Sequence, residues 1–131
     1  MNYSVITESF AERHFIARFQ KKHKLHWEIT RRAIVAEFER IDALMQTDRT
    51  EIMSDAGRFK IIKTSFKIAG TKESAKTSGN RCIILLDEER KIVHILFVYH
   101  KSDLKGPGSE TAKWKQLFKE NFPQYEKYFN E

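Results

Sequence analysis

What most limits the fold of this chain is a pair of nearly continuous apolar runs. Arg81 to Asp87 (Arg-Cys-Ile-Ile-Leu-Leu-Asp) and Lys91 to His100 (Lys-Ile-Val-His-Ile-Leu-Phe-Val-Tyr-His) are separated only by Glu88-Glu89-Arg90. Each run is too short to be a membrane-crossing helix and too apolar for a strand with one wet face, so both read as strands buried on two sides. The short polar turn makes them an antiparallel hairpin, and the rest of the chain must cover both of its faces. Phe59 to Ile68 extends the sheet by period-2 alternation: Ile62, Thr64, Phe66 and Ile68 point one way, Lys63, Ser65 and Lys67 the other. Tyr3 to Thr7 contains β-branched and aromatic residues and reads as a short first strand.

Helical periods fill the remainder. Ser9-Phe10-Ala11-Glu12 has the Ser-x-x-Glu form of a capping box, and Phe10, Phe15, Ile16 and Phe19 give the helix that follows one apolar side, ending in Lys21-Lys22-His23-Lys24. A second helix fits roughly 26–45, where Ile34, Phe38, Ile41 and Met45 recur at helical spacing. Two helices so close in sequence fold back as an αα-hairpin. After Gly106-Pro107-Gly108 a further helix runs from about Ser109 to Asn121, stopped by Pro123, and Tyr125, Tyr128 and Phe129 suit a tail that docks on the body. Thr71 to Asn80 contains no apolar residue larger than Ala and reads as an exposed, mobile loop. The expected class is α+β: an N-terminal helical hairpin packed on a three- to four-stranded antiparallel sheet, with a C-terminal helix. With 131 residues, a single domain spanning 1–131 is expected.

Charge is distributed unevenly. The chain carries 24 Lys and Arg against 18 Asp and Glu, a net +6. The window from Arg58 to Arg81 holds seven of those cations (Arg58, Lys60, Lys63, Lys67, Lys72, Lys76, Arg81) and one acid, Glu73, so the remainder holds 17 of each. An excess concentrated in one stretch points to a surface that meets a polyanion, with a solvated strand face as the plain alternative.

Several chemistries are not expected. There is no Gly-x-x-x-x-Gly-Lys-Ser/Thr or Gly-x-Gly-x-x-Gly, hence no cofactor of the nucleotide type. His23-x-x-His26 has no evident third ligand, so no metal is proposed. The lone Cys82 sits among apolar residues and reads as core. His14 reads as structural or surface, and His94, between Val93 and Ile95 in a buried strand, as a core histidine. No membrane span or signal peptide is read, which places the chain in the cytoplasm.

The promising stretch is Val98-Tyr99-His100-Lys101-Ser102-Asp103. If the three long strands pair antiparallel in sequence order, this stretch ends beside Arg81, with Lys63 and Lys67 on the adjoining strand. A histidine among cations suits cleavage of RNA: a base takes the 2′-OH proton, a cation stabilises the phosphate, and an acid protonates the departing 5′ oxygen. Tyr99 and His100, being adjacent on a strand, face opposite sides unless the strand ends or bulges there. Arg58, Lys60, Lys72, Lys76 and Lys101 would add contacts to nucleic acid.

The order of a helical hairpin, a sheet whose first long strand is basic, Arg81 opening the next strand and a last strand ending Phe97-Val98-Tyr99-His100-Lys101 resembles the RelE/ParE-type toxins of bacterial toxin–antitoxin systems over roughly residues 8–104. Gly79-Asn80-Arg81-Cys82-Ile83-Ile84 and Val98-Tyr99-His100-Lys101 are the most specific pieces. In the RelE-like branch the resemblance implies a metal-independent mRNA endonuclease (an mRNA interferase) that acts at the ribosome and is silenced by a cognate antitoxin. The chain would then be a monomer or a toxin–antitoxin hetero-oligomer. It implies Arg81 as the phosphate-binding arginine, His100 as acid or base, Lys63 and Lys67 as supporting cations and Tyr99 as a stacking or proton-transfer group. The second helix, the loop 71–80 and the segment Ser109 to Glu131 are longer than in compact toxins. A related branch inhibits gyrase without cutting RNA, so a non-catalytic toxin-like or basic RNA-binding domain is the alternative.

Overall fold

The two apolar runs lie side by side inside a five-stranded sheet. The structure, a computed structural model, describes residues 2–129. Its strands are β1 (Ser4–Thr7), β2 (Thr50–Ala56), β3 (Phe59–Phe66), β4 (Asn80–Asp87) and β5 (Ile92–His100), in the order β1-β5-β4-β3-β2. From β2 to β5 each strand pairs antiparallel with its sequence neighbour, while β1 lies parallel to β5. The fold is α+β, as expected. The sheet is larger than expected and mixed, because the polar stretch Thr50–Ala56 adds an edge strand and the first strand pairs in parallel.

Register decides what can share a site. Ser65, Arg81 and Tyr99 are cross-strand partners in one row; Phe66, Asn80 and His100 form the adjacent row. Partners in a row point to the same face and adjacent rows to opposite faces. The one irregularity between β4 and β5 lies at Ile83/Ile84, too far along to re-aim the strand end.

The hairpin covers the His100 face. Helical structure runs through α1 (Ser9–Ala11), a π-type segment Glu12–Ile16, and α2 (Ala17–Glu39), followed by α3 (Ile41–Leu44). No connecting loop separates the two arms. A single non-helical residue, Lys24 (φ 16°, ψ −89°), turns the chain back inside α2. In a straight helix Glu12 and Arg31 would stand about 28 Å apart, yet their side chains form an ion pair at 2.5 Å. The Phe19 and Trp27 rings likewise stack across the turn at 5.2 Å, and both meet Phe66 of β3. Ser9-x-x-Glu12 does not act as a capping box: Glu8 holds the N-cap position without a side-chain cap bond, and Glu12 turns to Arg31.

On the Tyr99 face lies α4 (Glu110–Asn121), capped by Ser109, whose Oγ accepts the Ala112 N–H at 3.1 Å. Its Trp114 and Phe118 are fully buried, each contributing about 2–3 kcal/mol by apolar burial. The tail beyond Pro123 docks, with Tyr128 stacked on Phe59 at 4.0 Å and Phe129 against Trp114. Asn130 and Glu131 of the expected C-terminal extension, and Met1, lie outside the described residues. Cys82 is fully buried, and burial pushes its thiol far up from the ordinary value. No helix among the described residues is long and apolar enough to cross a membrane.

Candidate functional site

The loop 71–79 that leads into β4 is exposed over residues 72–74 and 76–77 and is hydrogen-bonded down at its β4 end. Arg81 donates to the carbonyls of Asn80 at 2.9 Å and Lys76 at 3.0 Å. Ser78 is buried and donates to the Phe66 carbonyl at 2.6 Å, and its oxygen also accepts the Asn80 N–H at 3.0 Å. At its other end Thr30 of α2 accepts the Ala69 N–H at 2.8 Å. Small polar residues, which read as loop, here supply the hydrogen bonds that hold the loop down.

Two hollows flank this loop, one on each side. The first, about 170 Å³, is lined by His100 and Asn80 from the sheet, Ser78 from the loop, Arg18, Lys22 and His23 from the last turns before the Lys24 fold-back, and Glu73 and Asp103. Arg18 and Lys22 form no ion pair among the described residues. Burial, Lys22 and then His26 hold His23 below the usual histidine range, which favours the neutral imidazole. Lys72 and Lys101 are exposed and adjoin residues that line this hollow.

His100 is held on three sides. Its Nδ1 accepts the Ser102 N–H at 3.1 Å and lies 2.7 Å from the Ser102 hydroxyl. Its ring lies over Gly79, where a Cβ would fall 2.6 Å from Nε2, and the Lys101 N–H donates to the Gly79 carbonyl at 2.8 Å. Gly79 has φ +82°, so both its backbone and the space above it call for glycine.

The second hollow, about 310 Å³, is lined by Arg49, Lys63, Lys76 and Arg81 together with Asp48, Glu51 and Ser65. Its cations are largely engaged. Arg49 is paired with Glu37, Lys76 lies 3.3 Å from Asp48, and Lys63 sits 3.9 Å from both Glu51 and Glu110. Tyr99 is almost fully buried and donates to Glu110 at 2.7 Å. Burial, reinforced by Glu110, raises the phenol far above its ordinary value.

The structure therefore divides the residues singled out in the sequence. His100 stands in the first hollow; Arg81 and Lys63 line the second; Tyr99 is packed beneath α4. Tyr99 can neither stack on a base nor move a proton at the surface, because it is core and its hydroxyl is taken. Lys67 is exposed on a third surface beside Ala33 and Ile34 of α2. At the far end of the sheet Arg58 pairs with Asp87 and Glu89 and lies over the Phe59 ring, and Lys60 pairs with Glu88. Burial alone would raise the Asp87 carboxyl, but Arg58 and the N–H groups of Arg90 and Glu89 outweigh it and hold it below the usual range. Most of the basic window is thus matched by acids from other parts of the chain. The groups that the sequence reading missed are Arg18 and Lys22, which share a helical side at i, i+4, and His23 next to Lys22.

Away from both hollows, His94 meets Glu8 at 3.0 Å, and Tyr125 donates to the same carboxylate at 3.3 Å. This ties β5, the start of the hairpin and the tail together. No protein-family model, curated protein or solved structure matches this chain.

Proposed function

We propose that the chain is a RelE-like endoribonuclease acting at the first hollow, on mRNA at the ribosome, in the cytoplasm and under control of an antitoxin. One observation carries the reading: an imidazole fixed by its neighbours, His100, lines a hollow together with a second imidazole, two cations that form no ion pair among the described residues, and the carboxylates Glu73 and Asp103. Arg18 and Lys22 meet the phosphate and stabilise the charge that builds on it as the 2′ oxygen attacks phosphorus. The 2′-OH proton passes to an imidazole, the bond from phosphorus to the 5′ oxygen breaks, and that oxygen takes up the proton from the imidazolium so formed, leaving a 2′,3′-cyclic phosphate and a 5′-OH. Every step is open to the protein's own side chains, as the resemblance implies. Arg18, Lys22 and His23 stand where Arg81, Lys63, Lys67 and Tyr99 were expected. Arg81 holds the loop that carries Gly79 and so acts as a positioning residue.

The test uses the full chain and a short single-stranded RNA, with and without ribosomes. His100→Ala lowers cleavage by about a hundredfold or more with an unchanged melting temperature. Unchanged cleavage in that variant would overturn the reading. A specific observation favours a second one, a basic RNA-binding or toxin-like domain without catalysis: most strand cations are ion-paired and Tyr99 is buried. That reading predicts RNA binding with no strand scission by the wild-type chain.

A further inference from the structure

We propose that His100 serves as a fixed hydrogen-bond donor to an anionic phosphate oxygen rather than as the base, and that Gly79 and Ser102 are the positioning residues that commit it to this role. The inference rests on the proposed site but concerns which ring nitrogen carries the proton. A backbone N–H can only donate, so the bond from Ser102 N–H at 3.1 Å requires a bare Nδ1. The neutral ring must then carry its proton on Nε2. Ser102 Oγ, at 2.7 Å from the same nitrogen, donates to it in this arrangement. Nε2 lies over Gly79, and any Cβ at that position would approach it to 2.6 Å. The cradle is hydrogen-bonded on each side: the Gly79 carbonyl is tied to Lys101 N–H, Ser78 to the Phe66 carbonyl, and Asn80 is the cross-strand partner of His100.

The surroundings fit a phosphate as acceptor. Arg18 and Lys22 line the same hollow and bring positive charge without a matched carboxylate, while Glu73 and Asp103 also line it. A donor held in advance next to two cations is worth more to an oxyanion than one that must first be oriented. The proton-accepting role falls to His23, the other imidazole of the hollow.

Ring nitrogen shifts of His100 in the isotopically labelled full chain, measured by NMR at about pH 8, test the proposal directly. The expected result is a bare Nδ1 and a protonated Nε2, with the Nε2 signal moving on titration with inorganic phosphate. Ser102→Ala keeps the backbone N–H and preserves this tautomer. Gly79→Ala displaces the ring, mixes the tautomers and weakens phosphate binding about tenfold or more. Because that variant forces a side chain into a left-handed backbone, a second pair guards against misfolding. His100→Gln, whose amide N–H reaches the Nε2 position, keeps phosphate affinity within about threefold. His100→Asn, whose amide reaches only the Nδ1 position, loses about tenfold or more.

A proton on Nδ1, an even mixture in the wild-type chain, or equal defects in the Gln and Asn variants would overturn the proposal. Its fate separates from that of the nuclease reading. A chain that cuts no RNA yet shows the fixed tautomer and the phosphate response sinks the nuclease and leaves the donor. A chain that cuts RNA with the opposite tautomer does the reverse.

Discussion

The two hollows on either side of the loop 71–79 are lined by similar residue types and differ in what those residues are free to do. In the larger one, Arg49, Lys63 and Lys76 each lie within ion-pair distance of a carboxylate, and Arg81, which has none, is spent on the backbone carbonyls of Asn80 and Lys76. In the smaller one, two helical cations that look unremarkable in the sequence line the same hollow as His100 and form no ion pair among the described residues, although Glu73 and Asp103 also line it. A positive charge already paired to an acid offers little to a phosphate, since binding must first break the pair. For a phosphate, cations without partners in the fold are the more available ones, whatever the charge density along the chain.

The largest effect expected from this contrast is on RNA affinity. Replacing Arg18 and Lys22 together by Gln should weaken binding by about tenfold or more and flatten the dependence on salt by roughly 1–2 phosphate contacts. Lys60→Gln, at a cation already paired with Glu88, should leave both nearly unchanged. Titrations at several salt concentrations decide it; equal effects from the two changes would erase the distinction.

A smaller effect is expected on stability. Tyr99→Phe leaves Glu110 without its buried donor and should lower stability by about 1–2 kcal/mol in denaturant unfolding, while RNA cleavage stays as it was. Lost cleavage at unchanged stability would return Tyr99 to the site.

The smallest is a displacement in pH. His23 is held below the usual histidine value by burial first and by Lys22 second. As the proton acceptor it must be neutral, so the acidic limb of the rate profile should lie below pH 6.5, the ordinary histidine value. Removing the positive charge in Lys22→Gln raises the proton affinity of His23 and should move that limb to higher pH. A limb that stays in place would dissociate His23 from the chemistry.

The three long strands and their order were legible because each carries a signal in its own residues: alternation in Phe59–Phe66 and unbroken apolar runs in β4 and β5. The strand β2 gave no such signal. It is an edge strand with a register shift near Met53 and an exposed Ile52, so neither alternation nor hydrophobicity marks it. The parallel pairing of Ser4–Thr7 with β5 joins distant parts of the chain and has no local trace. Of the site, His100 was legible as a histidine closing a buried strand. Its companions were not, because what brings Lys22 to His100 is the long-range placement of the first arm, from β1 beside β5 to Phe19 against Phe66, and that leaves no local pattern to read. Tyr99 was mistaken for a site residue because sequence adjacency to His100 says nothing about which layer covers each face.

The fold-back at Lys24 also makes the site a matter of phase. Each residue added to an α-helix rotates everything beyond it by about 100°. One extra alanine between Ile16 and Arg18 would preserve composition, net charge and helicity while swinging Arg18, Lys22 and His23 away from the strand end they face. Lineages carrying this architecture should accordingly tolerate substitutions along that arm far more readily than changes in its length.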